Sequence, residues 1–301
     1  MLTLLDLQHR LEFAGLRAII FVVRLMPLDT AVAFSARMWQ WLAPYGKRQR
    51  RALENIARAF PDMSEAARRR IIHEMWGNLG RVMAETMQID RIIAAPERLE
   101  FVNRTLFERY RGKLGPAVGV TLHMGNWELS TWPMTVAGWH PAAIYRLVKN
   151  PYVDRYIREQ RQFLFPGGLL AKGRDNLKDN SEGQKTARRI IDYVRRGGRL
   201  GIVSDLYDHF GIEVPFFGHP ARSTPVPAMI ARRTGSRIWM ARCVRVTNQS
   251  RFRLEVKELK VTRTANQADD IRTITAALHA QFEAWIREHP EQWMWSNRRW
   301  K

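Results

Sequence analysis

His123 and Glu128, five residues apart in "TLHMGNWELS", stand where the apolar run "AVGVTL" gives out. A neutral imidazole can take a proton from a hydroxyl near neutral pH, and a carboxylate beside it fixes the tautomer and stabilises the imidazolium. Five helical residues turn a side chain through about 140°, so the two cannot meet on one regular helix. If His123 ends a strand and Glu128 lies in the first turn of the next element, the chain can fold the carboxylate back onto the ring. Gly125 and Asn126 permit the tight turn this requires. On spacing alone, a histidine that merely packs fits the stretch as well. The pattern is not His-Glu-x-x-His and no second histidine lies nearby, which argues against a metal site. Cys243 in "MARCVRV" reads as a strand residue facing the core.

The elements that must position these groups change character along the chain. Residues 1–90 show helical spacing throughout. Asp29 and Thr30 are candidate caps for one helix and Ser64 for another. From about residue 115, short apolar runs ("AVGVTL", "AAIYRL", "RLGIVSD", "EVPFF", "RIWMARCVRV", "RFRLEVKEL") alternate with amphipathic segments that begin near Asn126, Pro151 and Pro225, with "TARRIIDYVRRGG" after a polar loop at 173–184 and a last helix over about 268–288. Strands alternating with helices predict an α/β fold: a mixed sheet with helices on its faces, preceded by a helical N-terminal subdomain. The expected division is a membrane-associating helical part, 1–90, and an α/β part, 91–301.

With 301 residues, 46% of them hydrophobic, the chain can bury a substantial core. Its 49 Lys+Arg against 29 Asp+Glu give a formal net charge of +20, which calls for a polyanionic partner: nucleic acid, anionic lipid headgroups or an acidic protein. No nucleic-acid-binding module is recognisable, and aromatics are not interleaved with the basic runs as a stacking platform needs. A single cysteine excludes an internal disulfide. The apolar N-terminus is interrupted by Arg10, Glu12, Arg17 and Arg24, too often for the roughly 20 uncharged residues of a span. It reads as an amphipathic helix lying in a membrane surface with its arginines at the headgroups, or else as a first helix packed on the core.

Six segments in order, "HMGNWE", "YRLVKNP", "IREQR", "SDLYD", "VPFFGHPARSTPVPAMIAR" and "EHPEQWMWSNRRWK", resemble the late acyltransferases of lipid A biosynthesis. The resemblance extends upstream through "LENIARAFPDMSEAARRRII" and "NLGRVMAE". It implies transfer of a fatty acyl group from acyl carrier protein to a hydroxyl of a lipid A precursor, an anionic glycolipid, or alternatively of another glycolipid or a lysophospholipid, at the cytoplasmic face of the inner membrane, with no cofactor or metal. The family's His-x4-Asp/Glu motif falls on His123 and Glu128 as the catalytic dyad. Its Tyr-Arg and following-helix arginines fall on Arg146 and Arg161, and its acidic residue after the next core strand falls on Asp205. A glutamine common after that aspartate is Leu206 here. An ester-forming transfer also needs donors for the developing oxyanion. Backbone amides near Gly125 and Asn126, or Arg146, are the candidates.

Overall fold

The computed structural model describes residues 4–103, 105, 106, 110, 115–172 and 181–300. Five helices precede the first strand: α1 (Leu4–Leu25), α2 (Leu28–Leu42), α3 (Arg48–Ala59), α4 (Glu65–Thr86) and α5 (Ile89–Ile93). Ser64 caps α4 as its residue type predicts, accepting the Ala67 N–H at 3.3 Å. The cap expected at Asp29–Thr30 does not form. Helix α2 starts earlier, at Leu28 behind Pro27, and Asp29 sits in its first turn. There Arg98 and the Ser250 N–H claim its carboxylate, at 3.0 Å each. A tertiary ion pair has displaced a local cap.

Helix α4 is the most buried of these. Gly80 lets α2 approach it closely, since a Cβ there would lie 2.6 Å from the Ser35 carbonyl oxygen. Ile72, Met75, Trp76 and Leu79 of α4 share one cluster with Val118, Val120 and Leu122 of the sheet, so the helical region and the sheet bury a common core.

Among the described residues nine strands come next: β1 (Leu99–Phe101), β2 (Ala117–Thr121), β3 (Ala142–Arg146), β4 (Gly168–Lys172), β5 (Arg199–Val203), β6 (Tyr207–Phe216), β7 (His219–Ser223), β8 (Arg237–Arg245) and β9 (Phe252–Leu259). Seven form one sheet in the order β1-β9-β8-β2-β5-β3-β4, and β6 and β7 make a separate hairpin. All neighbours are parallel except β8 and β9, which makes the sheet mixed, as predicted. Strand β2 is buried along its whole length, the reason it reads as a continuous apolar run.

Further helices are α6 (Trp132–Val136), α7 (Pro151–Arg161), α8 (Ser181–Arg195), α9 (Val226–Thr234) and α10 (Gln267–Glu288). The helix expected from Asn126 is instead a 3-10 turn, Trp127–Thr131, that runs into α6. Most of the polar loop expected at 173–184 lies outside the described residues.

Helix α1 carries its polar groups inward. Arg24 forks onto Asp90, with both bonds at 2.8 Å. Arg10 and Arg17 lie over the rings of Tyr152 and Tyr156 in α7. The opposite face is apolar and exposed: Leu4, Leu11, Ile19, Phe21, Val22 and Leu25. Helix α2 adds Phe34, Met38, Trp41 and Leu42, also exposed. The arginines expected at headgroups are therefore turned onto the protein, where aromatic faces and a carboxylate hold them.

Candidate active site

Strands β2 and β5 are parallel neighbours with Thr121 opposite Val203. Two residues further on, that register brings His123 opposite Asp205 at the carboxyl ends of the strands, where open α/β sheets gather functional groups. The imidazole Nδ1 lies 2.8 Å from Asp205 Oδ1, and the His123 backbone N–H donates to Oδ2 at 2.9 Å. A third donor, the indole Nε1–H of Trp293, reaches Oδ2 at 2.7 Å. Asp205 is wholly buried, while 19% of the His123 side chain stays exposed. The ring of Trp127 stands edge-on to the imidazole, 5.2 Å between centroids.

Burial lowers the pKa of His123, but the Asp205 charge and hydrogen bond outweigh it, with the Glu128 charge adding to them, and the net shift is upward from 6.5. For Asp205 burial acts upward and is likewise outweighed, by His123 and by the bonds it accepts, so its carboxyl is held below 3.8. With a carboxylate at Nδ1, that nitrogen carries the proton of the neutral ring and Nε2 is left to accept one.

Glu128 does not hold the ring. Its carboxylate takes Arg161 of α7 at 2.5 Å, and its influence on His123 is through space. The physical reason is the 3-10 turn, which begins only at Trp127. It directs Glu128 toward α7, and the buried carboxylate one strand away occupies Nδ1. Four of the seven residues singled out in the sequence fall into two pairs. His123 joins Asp205, and Glu128 joins Arg161. Arg146 ends β3 on the same carboxyl edge of the sheet and is exposed.

Gly125 and Asn126 support the loop from behind. The Gly125 N–H donates to the Gln292 carbonyl at 3.0 Å, and the Asn126 N–H faces the Cys243 sulfur. The Gly125 amide is not left for an oxyanion, because the C-terminal segment lies against it. The Asn126 side chain is buried and donates to Glu85 at 3.0 Å. Gly125 has φ +56°, and a Cβ there would fall 1.7 Å from the Cys243 carbonyl oxygen, so no other residue fits.

Behind the loop lies a buried network that sequence reasoning missed. Glu85 and Arg245 form a two-pronged ion pair at 2.6 and 2.8 Å, and Ser250 donates to Glu85 at 2.7 Å. Asn78 accepts from Arg245 and donates to the carbonyls of Gly125 and Gln292. Residues 292–294 run beside 123–125 like a short strand: Met124 bridges Trp293, and the Met294 N–H donates to the His123 carbonyl at 3.0 Å. One signal was present. Asn78 and Glu85 are polar residues seven apart on a stripe of α4 otherwise filled by apolar ones, and a polar side chain in such a stripe needs a partner.

A family model for bacterial lipid A biosynthesis acyltransferases matches residues 3–301. The chain belongs to that family. Among curated relatives, the lipid A biosynthesis myristoyltransferase of Escherichia coli (strain K12) is 25% identical over 269 residues, covering 86% of this chain and 77% of the relative. A lipid A biosynthesis acyltransferase of Haemophilus influenzae (strain ATCC 51907 / DSM 11121 / KW20 / Rd) is 21% identical over 285 residues, covering 92% and 83%. This lipid A acyltransferase family matches across both the helical region and the sheet, including every segment that meets at His123.

Proposed function

We propose that the chain transfers a fatty acyl group directly from an acyl carrier protein thioester to a hydroxyl of a lipid A precursor, with His123 as general base. The observation that carries this reading is the His123–Asp205 pair at the sheet's carboxyl edge in a lipid A acyltransferase. Nε2 of His123 takes the proton of the acceptor hydroxyl as its oxygen attacks the thioester carbonyl carbon. The tetrahedral intermediate then collapses, the C–S bond breaks, and the imidazolium returns the proton to the leaving thiolate. Asp205 keeps the ring in the Nδ1–H tautomer and stabilises its charge between those events. Glu128 adds negative charge and anchors Arg161.

An acceptor with fatty chains needs an apolar approach, and two strand ends beside the site supply one. Val203, at the end of β5, and Leu147, just past β3, are both exposed. On this reading the outward faces of α1 and α2 rest on the cytoplasmic face of the inner membrane. Among the described residues no helix is long and apolar enough to cross a membrane. Arginines such as Arg146 and Arg161 suit an anionic headgroup, because a guanidinium can bind phosphate through two parallel hydrogen bonds.

Cys243 is no candidate for a covalent acyl-enzyme. It is fully buried, and burial pushes its thiol up, away from thiolate. The deciding experiment incubates purified protein with an acyl carrier protein thioester and an under-acylated lipid A precursor, then weighs lipid and protein by mass spectrometry. The lipid should gain one acyl chain, the protein should gain none, and Cys243→Ala should keep most of the activity. An acylated protein intermediate would replace direct transfer with a two-step route.

A further inference from the structure

Trp293 does more than fill space. Its ring is buried against Trp295 and Phe216, at 4.6 and 5.8 Å between centroids, which any large apolar side chain can do. Its N–H is aimed at Asp205 Oδ2 at 2.7 Å. Such a bond is not automatic in this core, since the buried indole nitrogens of Trp239 and Trp300 have no hydrogen-bond partner. The same segment fixes the histidine's backbone through Met294 and that of Gly125 through Gln292. Backbone and carboxylate are therefore referenced to one short stretch of chain.

We propose that Trp293 is a positioning residue whose indole N–H, by sharing the Asp205 carboxylate with His123, sets the basicity of the catalytic imidazole. A carboxylate that donates electron density to three N–H groups gives less to each. Removing the indole donor leaves Oδ2 with the His123 amide alone and concentrates the negative charge on the imidazole, so the imidazolium is favoured.

The other charges facing this pair stay in place. Glu128 acts on His123 through space and is itself neutralised by Arg161. From α10, His279 faces Arg299 at 3.3 Å and is held well below 6.5 by burial and by that cation. Arg299, brought down to about 10 by burial, is drawn back up by Asp205. Glu85 and Arg245 are paired with each other.

The proposal rests on His123 as general base, and its test separates the two ideas. Trp293→Phe removes the donor, and benzothienylalanine at 293 removes it while keeping the ring's size. In each full-length protein the His123 imidazole is titrated by proton–nitrogen correlation spectra, its signal assigned by its loss in His123→Ala, and kcat/KM is measured against pH with acyl carrier protein thioester as donor. Both replacements should raise the imidazole midpoint by about half to one pH unit. Below that midpoint the rate should fall by about three- to tenfold, with the high-pH plateau preserved. A midpoint unmoved in both proteins overturns the proposal, as does one moved by phenylalanine but not by the isostere, which would trace the change to packing. If the midpoint moves but the acid limb of the rate does not track it, the indole's role stands and His123 is not the base.

Discussion

The His123 imidazole answers to opposing effects, burial against the charge of Asp205, and pH reads the outcome. Because its folded pKa is raised above 6.5, the acid limb of kcat/KM should lie above pH 6.5, activity growing as the ring loses its proton. Stability runs in the opposite sense for this group. His123 contributes stability that is fully present below about pH 6.5 and is lost as pH rises through the folded value, whereas the Asp205 contribution is present above 3.8 and lost as pH falls through its lowered value. His123→Ala should cost about two to four orders of magnitude in turnover per folded molecule, well beyond what the lowered melting temperature from losing the buried pair explains. Asp205→Asn should be comparably impaired, and the double variant scarcely worse than the poorer single, since the two act as a unit. Glu128→Gln leaves the His123–Asp205 bond intact and should lose less. If turnover ranks the other way in equally stable proteins, Glu128 is the group that serves the ring. The histidine was legible in the sequence because a polar residue closing an apolar strand stands out. Asp205 was singled out only through the family resemblance, and its pairing with His123 was not legible, because Asp205 is 82 residues away and Trp293 a further 88, and the register of β2 against β5 brings His123 and Asp205 together. The neighbouring carboxylate, five residues on, was assigned to the dyad from the family's His-x4-Asp/Glu motif, spacing alone being a weak signal.

Most elements were legible where period and composition agreed. The run of residues predicted at 268–288 is helix α10, Gln267–Glu288, and Ser64 caps α4. Strand β1, "LEF", went unread because three residues cannot show a period, and β4, "GLLAK", also went unread and is defined by its pairing with β3. Nor does local pattern reveal that α1 faces outward with its apolar side, since either face of an amphipathic helix can be the docked one until its partner, here Tyr152 and Tyr156 of α7, is known. Two predictions belong to this scale. Gly125→Ala should unfold the loop or the protein, because the Cβ overlaps the Cys243 carbonyl; thermal melting will show it. Glu85→Gln should destabilise by about 3–5 kcal/mol, leaving Arg245 as a buried cation without its counter-charge, a loss that denaturant titration measures directly.

Across the whole molecule, the proposed function has charge and apolar surface divide the labour of finding two substrates. A net charge of +20 should accelerate encounter with an acidic carrier, so kcat/KM for the carrier thioester should fall steeply with ionic strength while kcat changes little. The outward side of α1 and α2 should hold the protein on vesicles. Phe21→Glu with Trp41→Glu should reduce co-sedimentation with anionic liposomes without lowering the melting temperature, since both side chains are exposed, at 64% and 69%. Full binding by that variant would assign membrane contact to another surface. The strand-like segment at 292–294 has its own consequence in time. During translation β2, β5 and Asp205 all leave the ribosome before Trp293 exists, and a nascent chain that has reached only residue 291 has no donor for Asp205 and no splint along His123. Contacts this distant in sequence also form late in folding. The full set of contacts around His123 and Asp205 is therefore assembled only after residues 292–294 have been made.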